Sequence, residues 1–339
     1  MFQQTFKEFK GTDPFTHIYG QDAAKKQILS ALLMNRHIIL VGPPGIGKTT
    51  LAKNVAKLLP SLTLNDCNFH CDPKAPFCPT CKNKTPKAKT FSGTERFIRI
   101  QGSPDLTVED LLGDIDPVKA LQFGPLALES FTPGKIFKAN NGVLFFDEIN
   151  RCPEKLQNAL LQVLEEGKAS IGSYDLDLEA NFITICTMNP EDFSGTERLS
   201  EVLLDRFDLV FIHYPESVDI EKKIVLAKGE KLAEVDFPDE LLEMTLGFIQ
   251  KLRANENLER VPSVRASLGL YERAQANAYL RNAAYVDMQD VYEAFNSVVS
   301  HRIRLKPSVR YLMDTKDFIK KEFKNFQEDM SRQSETDVP

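Results

Sequence analysis

The sequence lacks any apolar run approaching the roughly 18 residues a membrane span needs. Its opening stretch, MFQQTFKEFKGTDPF, carries a charge every few positions and has no apolar signal-peptide core. It also lacks an excess of positive charge. Lys and Arg number 42 against 48 Asp and Glu, a net of −6, so no global field draws the chain to nucleic acid or to an anionic membrane. No internal repeat is evident. Cysteine is sparse outside one stretch: four of the six fall between Cys67 and Cys81, a spacing that suits a metal better than the disulfide framework of a short secreted chain. The expectation is a soluble, cytoplasmic protein without a membrane partner, for which nucleic acid is not the default ligand.

At 339 residues, 42% hydrophobic and 27% charged, the chain can bury a sizeable core and is long enough for two domains. Up to residue 215, short β-rich runs alternate with helical patterns. The runs are Ile38–Val41, Phe97–Ile100, Val143–Phe146, Phe182–Thr187 and Leu209–Ile212. That alternation predicts an α/β fold, a parallel sheet covered by helices on both faces. A helix is expected from Pro153, with Leu156, Ala159, Leu160, Val163 and Leu164 on one face and Gly167 at its end. From 216 to 326 the strand signals stop. Asp239–Leu252, Val264–Leu280 and Asp287–Arg302 read as amphipathic helices of a small all-α lid, followed by a frayed tail over 327–339. Within the α/β part, 65–94 has no apolar periodicity and reads as an inserted loop that needs an organiser.

Gly42-Pro43-Pro44-Gly45-Ile46-Gly47-Lys48-Thr49 matches G-x-x-x-x-G-K-[ST], placed between an apolar strand and a helical pattern. Glycines allow backbone N–H groups to turn inward around phosphates, and the helix start adds its positive dipole end. Lys48 is suited to the β and γ oxygens, and Thr49 to magnesium. A chance Gly-rich turn is the competing reading, and the flanking strand and helix weigh against it. A hundred residues on, Val143–Phe146 ends in Asp147 and Glu148, which suits a magnesium shell and a water-polarising base respectively. The nucleotide-contacting set expected is Gly42, Pro43, Gly45, Ile46, Gly47, Lys48, Thr49 and Thr50, with Asp147. ATP and Mg²⁺ are the implied substrate and ion.

With these motifs the chain resembles the AAA+ ATPases, and within them the MoxR and magnesium-chelatase I-subunit branch. The likeness runs through Ile18-Tyr19-Gly20-Gln21, DEINRCPEKLQNALLQVLEEG, TMNP, LLDRFDLVF, PSVRASLGL and VVSHRIRL. It implies that Tyr19 and Gly20 border the nucleotide and that Asn189 is sensor 1, which positions the attacking water. It further implies that Arg206 is an arginine finger reaching a neighbouring subunit's ATP, with Arg198 and Arg151 as rivals, and that Arg265 is sensor 2 on the lid. Residues 106–133 resemble the helix-2 insert of this branch, which usually faces the pore of a ring. A homo-oligomeric ring, usually hexameric, follows from a finger that acts in trans.

Cys67, Cys71, Cys78 and Cys81 offer four thiolates to a tetrahedral Zn²⁺, with His70 as a possible substitute ligand; unliganded thiols in a mobile loop are the alternative. Cys152 and Cys186 read as small core residues. Lys82, Lys84, Lys87, Lys89, Arg96 and Arg99, opposed only by Glu95, form a basic run that suits a nucleic acid, an acidic partner or simply a solvated face.

Three functions follow. The first is a motor that remodels a partner protein, as MoxR-type ATPases are thought to act on partners with von Willebrand factor A domains. The second is the ATPase subunit of a metal chelatase, and the third a nucleic-acid motor using the basic insert. Asp192-Phe193-Ser194-Gly195-Thr196 resembles a von Willebrand metal motif by coincidence, since no room for that domain surrounds it; such a partner would be a separate chain.

Overall fold

The computed structural model describes residues 2–83, 86–125, 127–171, 174–179, 181–189 and 199–336. The chain divides into two compact units. The first is Met1–Pro43 with Gly47–Ile212; the second is Pro44–Ile46 with His213–Pro339.

The first unit opens with helices α1 (Phe2–Lys7) and α2 (Asp22–Leu33), then strand β1 (His37–Val41) and helix α3 (Lys48–Leu58). Strand β2 (Leu62–Asn65), the short helix α4 (Pro79–Asn83) and β3 (Ala88–Phe91) form the cysteine-bearing insert, and β4 (Phe97–Gln101) returns to the sheet. Next come α5 (Val108–Leu112), β5 (Gly113–Ile115), α6 (Pro117–Phe123), β6 (Phe131–Pro133) and α7 (Lys135–Lys138). The unit closes with β7 (Val143–Asp147), α8 (Glu154–Glu166), β8 (Lys168–Ile171), β9 (Tyr174–Glu179), β10 (Ile183–Met188), α9 (Glu201–Leu204) and β11 (Phe207–Phe211).

Five strands pair in the order β11-β1-β10-β7-β4, all parallel. Their composition explains this. Val143–Phe146 is buried on both faces, as is Ile38–Val41, and only a sheet covered on each side accommodates two adjacent side chains without a solvent face. Each of the five expected strands is present, with ends shifted by one or two residues. Helix α8 starts one residue later than expected, because Pro153 stands as its cap; it buries Leu156, Leu160 and Val163 and ends at Gly167 with φ +63°.

The sequence reading missed two antiparallel pairs, β2 with β3 and β8 with β9, whereas the β5–β6 pair falls in 106–133, the stretch whose resemblance implied an inserted hairpin. β2 and β3 close the neck of the insert, with Leu62 opposite Phe91 and Asn65 opposite Ala88. β5 and β6 form a second hairpin, and β8 and β9 a third. Five of these six strands have only three or four residues, which leaves too few periods for alternation to register; β9 alone has six.

The second unit contains α10 (Val218–Lys228), α11 (Asp239–Arg253), β12 (Leu258–Arg260), α12 (Val264–Leu280), α13 (Met288–Val298), β13 (Arg304–Leu305), α14 (Pro307–Arg310) and α15 (Thr315–Thr336). Its core centres on Phe248, whose ring lies 5.2 Å from that of Phe295 and 5.0 Å from that of Phe323. Asp287 is the cap of α13, not its first residue, in a reciprocal pair with Asp290. That helix ends four residues before the expected Arg302; Ser297 and Ser300 donate back to the carbonyls of Ala294 and Asn296 and compete with the helical ladder there. The tail also differs from expectation. α15 runs through Gln327 to Thr336, because Phe326 packs on Phe248 at 5.6 Å and Asp329 pairs with Lys251 at 2.7 Å.

A buried ion pair supports the start of α12. Glu221 is fully buried and accepts two 2.6 Å bonds from Arg253 and one from the Ser267 hydroxyl, while Arg253 also donates to the Pro262 carbonyl and lies over the Tyr214 ring. Two charges out of water are tolerated because each is met by its partner and by further hydrogen bonds.

Candidate functional site

In an open parallel sheet, ligands bind beyond the carboxyl ends of the strands, where the order of connection reverses. Here β1 lies between β10 and β11, and β10 between β1 and β7, so the chain leaving β1, β10 and β7 emerges along one edge.

The β1–α3 loop carries the glycine-rich motif. Gly45 and Gly47 take φ of +77° and +97°, a left-handed conformation costly for any other residue, and α3 begins at Lys48 with no acidic side chain in its first turn. The Lys48 ammonium donates to the carbonyls of Gly42 at 2.5 Å and Pro43 at 2.9 Å. Gly42 is tied to the sheet through its N–H and the Met188 carbonyl, 3.2 Å apart. Thr49 is half-buried and Thr50 exposed.

Within the second unit, which includes Pro44–Ile46, a Cβ on Gly45 would stand 2.7 Å from the Ser263 hydroxyl and 3.2 Å from Arg265 Cδ. The motif's tip therefore abuts the first turn of α12, and Arg265, itself exposed, borders it.

Asp147 ends β7. One carboxylate oxygen accepts from the Thr187 hydroxyl at 2.7 Å, and the other from Arg99 at 2.5 Å; Arg99 also donates to the Gln101 side chain at 3.1 Å. Glu148 leaves the strand with φ +58° and ψ +55°. Its N–H donates to the Thr187 hydroxyl at 2.8 Å, and its carboxylate accepts from Gln101 at 3.2 Å and pairs with Arg151 at 3.2 Å. That turn requires Gly102, since a Cβ there would lie 2.1 Å from the Glu148 carbonyl oxygen. Thr187 and Gln101 escaped the sequence reading, and Arg99 entered it only as part of the basic run, not as the partner of Asp147. All three depend on strand register, such as Gln101 opposite Asp147, which no local motif encodes.

Asn189 follows directly on β10 and is half-buried. Residues 190–198 lie outside the described residues, and with them Arg198 and the string Asp192–Thr196. Arg206 stands between α9 and β11, partly exposed, paired with Asp205 at 3.0 Å and with Glu165 of α8. Tyr19 and Gly20 lie half-buried in the turn before α2, with Gly20 at φ +65°. The edge of the sheet thus gathers the Lys48 loop, Asp147, Glu148 and Asn189. Arg206 stands apart, at the amino end of β11.

The insert is not an unorganised loop. The sulfurs of Cys67, Cys71, Cys78 and Cys81 all lie within 4.8 Å of one another, three of the four residues being buried. Tetrahedral zinc with bonds of ~2.3 Å sets its sulfurs a little under ~4 Å apart, so small shifts complete the site. The Cys71 thiol and N–H both point at Cys67, which is held down to about 5, while the Cys71 thiol is pushed up by sharing its proton with Cys67. Burial and the neighbouring sulfurs raise Cys81 to about 12. His70 is not part of the cluster: its ring packs at a tilt against that of Phe91, with centroids 4.8 Å apart. Cys152 and Cys186 are buried core residues, and burial holds the Cys186 thiol well above its usual range.

Three of the six basic residues are engaged by the fold, while Lys82 and Lys87 are exposed. Arg96 is fully buried, donating to the carbonyls of Pro60 and Asn141, Arg99 pairs with Asp147, and Lys89 pairs with Glu95. Lys84 lies outside the described residues.

Family models match three stretches of the chain: magnesium chelatase subunit ChlI over 14–70, the ATPase family associated with various cellular activities (AAA) over 79–209, and the AAA lid domain over 251–321. The magnesium-chelatase 38 kDa subunit of Acidiphilium rubrum is 30% identical, covering 80% of this chain and 76% of its own. This chain belongs to the MoxR and magnesium-chelatase subunit I branch of the AAA+ ATPases. The chaperone MoxR1 of Mycobacterium tuberculosis is 27% identical to this AAA+ ATPase over 85% of this chain and 73% of its own. A solved complex of the magnesium chelatase subunits BchI and BchD contains a chain with the same fold, at 20% identity and a TM-score of 0.53, covering 88% of this chain and 98% of that one. The activity is accordingly ATP hydrolysis. Among the described residues no helix is long and apolar enough to cross a membrane.

Proposed function

We propose that this ATPase works as a homo-oligomeric ring, hexameric as the family resemblance implies, that remodels or activates a partner protein. The partner class implied is a separate protein with a von Willebrand A domain. The observation that carries this reading is α6, the helix between β5 and β6: it buries none of its side chains, and Val118, Leu121 and Phe123 are 75%, 92% and 51% exposed. Apolar groups standing in solvent on an insert suit contact with a polypeptide.

The residues support the following division of labour. Lys48 and the backbone N–H groups of Gly45 to Thr49 hold the phosphates, with Tyr19, Gly20, Pro43, Ile46 and Thr50 bordering the nucleotide. The left-handed glycines and the uncapped start of α3 fit an anion. Thr49 and Asp147 form an oxygen donor set that fits Mg²⁺, which would supply charge neutralisation at the β and γ phosphates. Glu148 polarises the attacking water, and Asn189 orients it. Arg206 exchanges Glu165 for a neighbouring subunit's γ-phosphate, and Arg265 senses the nucleotide from the lid. The four thiolates of the insert hold a structural zinc ion.

A second reading is the ATPase subunit of a metal chelatase, supported by the Acidiphilium relative. The nucleic-acid reading loses support, because half of the basic run is engaged within the fold.

Affinity capture with a Glu148→Gln chain in ATP tests the proposal. A von Willebrand A protein retained only with ATP supports the remodelling motor. A tetrapyrrole-binding subunit supports the chelatase, and retention of nucleic acid alone overturns both.

A further inference from the structure

Phe69 sits between the first two thiols of the insert and is buried. Its ring packs against those of Phe131 at 6.4 Å and Phe137 at 5.4 Å, which meet each other edge to face at 5.9 Å. Phe131 opens β6, one arm of the hairpin that carries α6, and Phe137 lies on α7 directly after it. The helix bearing Cys81, α4, lies beside the turn Leu128–Ser130 that leads into the same arm. From behind, Asn140 donates to the Phe69 carbonyl at 3.2 Å and accepts from the Asn181 N–H at 3.0 Å. The cysteine knuckle is thereby tied to the turn that feeds β7, the strand ending in Asp147.

The hairpin has little of its own to hold it. Its two strands are three residues each, and a two-stranded ribbon of that size is marginal in water. What anchors it lies at the base. A Cβ on Gly113 would stand 2.3 Å from the Thr132 carbonyl oxygen, and one on Gly134 2.3 Å from that of Leu111, so the backbones there are in direct contact. Beside that base stands the aromatic triangle, one corner of which is supplied by the knuckle.

We infer that the thiolate centre is the footing of the hairpin 113–133: zinc bound by Cys67, Cys71, Cys78 and Cys81 fixes Phe69 and α4, and these fix the insert that presents Val118, Leu121 and Phe123. The inference rests on the zinc reading above. It is supported by a shared interior: Cys71, Cys78 and Cys81 lie in one hydrophobic core with Phe131, Phe137, Leu144 and Phe146.

Hydrogen exchange with metal analysis on the full chain tests it, comparing protein as purified, stripped with a chelator, and restored with zinc. About one zinc per chain is expected. Stripping should speed exchange across 113–133 at least tenfold, leave 239–305 unchanged, and be reversed by zinc. Stripping may be compared with Phe69→Ala, which keeps all four ligands: that variant should retain zinc yet show the same faster exchange in the hairpin. Protein with no stoichiometric metal overturns the zinc reading. Protein that holds zinc, with hairpin exchange unmoved by Phe69→Ala, overturns the footing and leaves the zinc reading intact.

Discussion

The strand-end carboxylates of the candidate nucleotide site and the thiol centre belong to one α/β unit but place their working groups differently. At the candidate nucleotide site, Asp147 and Glu148 stand half-buried at the end of β7, oriented by neighbours and backbone, and half-buried Asn189 follows β10. At the thiol centre, three of the four cysteines are buried in the same core as the sheet. A group that must meet a ligand in solution has to be reachable, and its orientation is secured by hydrogen bonds. A group that holds structure is best placed inside, where its loss leaves buried polar atoms without partners. Substitutions at the first site should therefore remove chemistry and spare the fold, and those at the second should do the reverse.

The largest effect sharpens that contrast. Lys48→Ala should weaken ATP binding at least ~100-fold, since the only cation on the loop is lost, with the thermal midpoint little changed. Glu148→Gln should bind ATP normally and lower turnover by roughly 10²–10⁴-fold, the usual weight of a general base. Nucleotide titration and steady-state hydrolysis check both; equal loss of binding in the two would remove the role given to Glu148.

Arg206 tests whether the site is complete within one chain. Arg206→Ala should bind ATP as the parent does and hydrolyse it poorly, roughly 10–10³-fold down. Mixing it with Lys48→Ala chains should restore part of the rate, because each supplies what the other lacks. If mixed rings form and no activity returns at any ratio, the arginine acts within its own chain or is not the finger.

Thr187→Val is the finest probe, since it keeps the shape of the side chain while removing the hydroxyl shared by Asp147 and the Glu148 N–H. One N–H is left unsatisfied, at a cost of about 1–3 kcal/mol. Turnover should fall roughly tenfold, with ATP affinity held within about threefold. A variant indistinguishable from the parent in denaturant midpoint and rate would show that the hydroxyl neither supports the turn nor sets the carboxylates.

The same contrast governs what could be read from sequence. The glycine-rich loop was legible because its signal is local: eight consecutive residues between a strand and a helix. Lys48, Asp147 and Glu148 consequently fell on one sheet edge as expected. The thiol cluster was legible from spacing, but its depth was not, since burial of Phe69 depends on Phe131 and Phe137, more than sixty residues away. Thr187 and Gln101 were invisible for a related reason: parallel register is set by the packing of whole helices and strands. The C-terminal tail looked polar enough to fray, yet Phe326 and Asp329 find partners on α11 that no window of the tail contains.

Glu148 pays for its direction in backbone strain. A residue other than glycine in the left-handed region costs on the order of 1–3 kcal/mol, and here the closeness of Gly102 and the bond from the Glu148 N–H to Thr187 keep it there. The carboxylate is thus aimed by the main chain, with few rotamers left to search. Selection for thermal stability alone would favour glycine at 148, which relieves the strain and removes the carboxylate in the same step. On the role proposed for Glu148, robustness and turnover are opposed at a single position, and a more heat-resistant form of this ATPase would have to find its gain elsewhere.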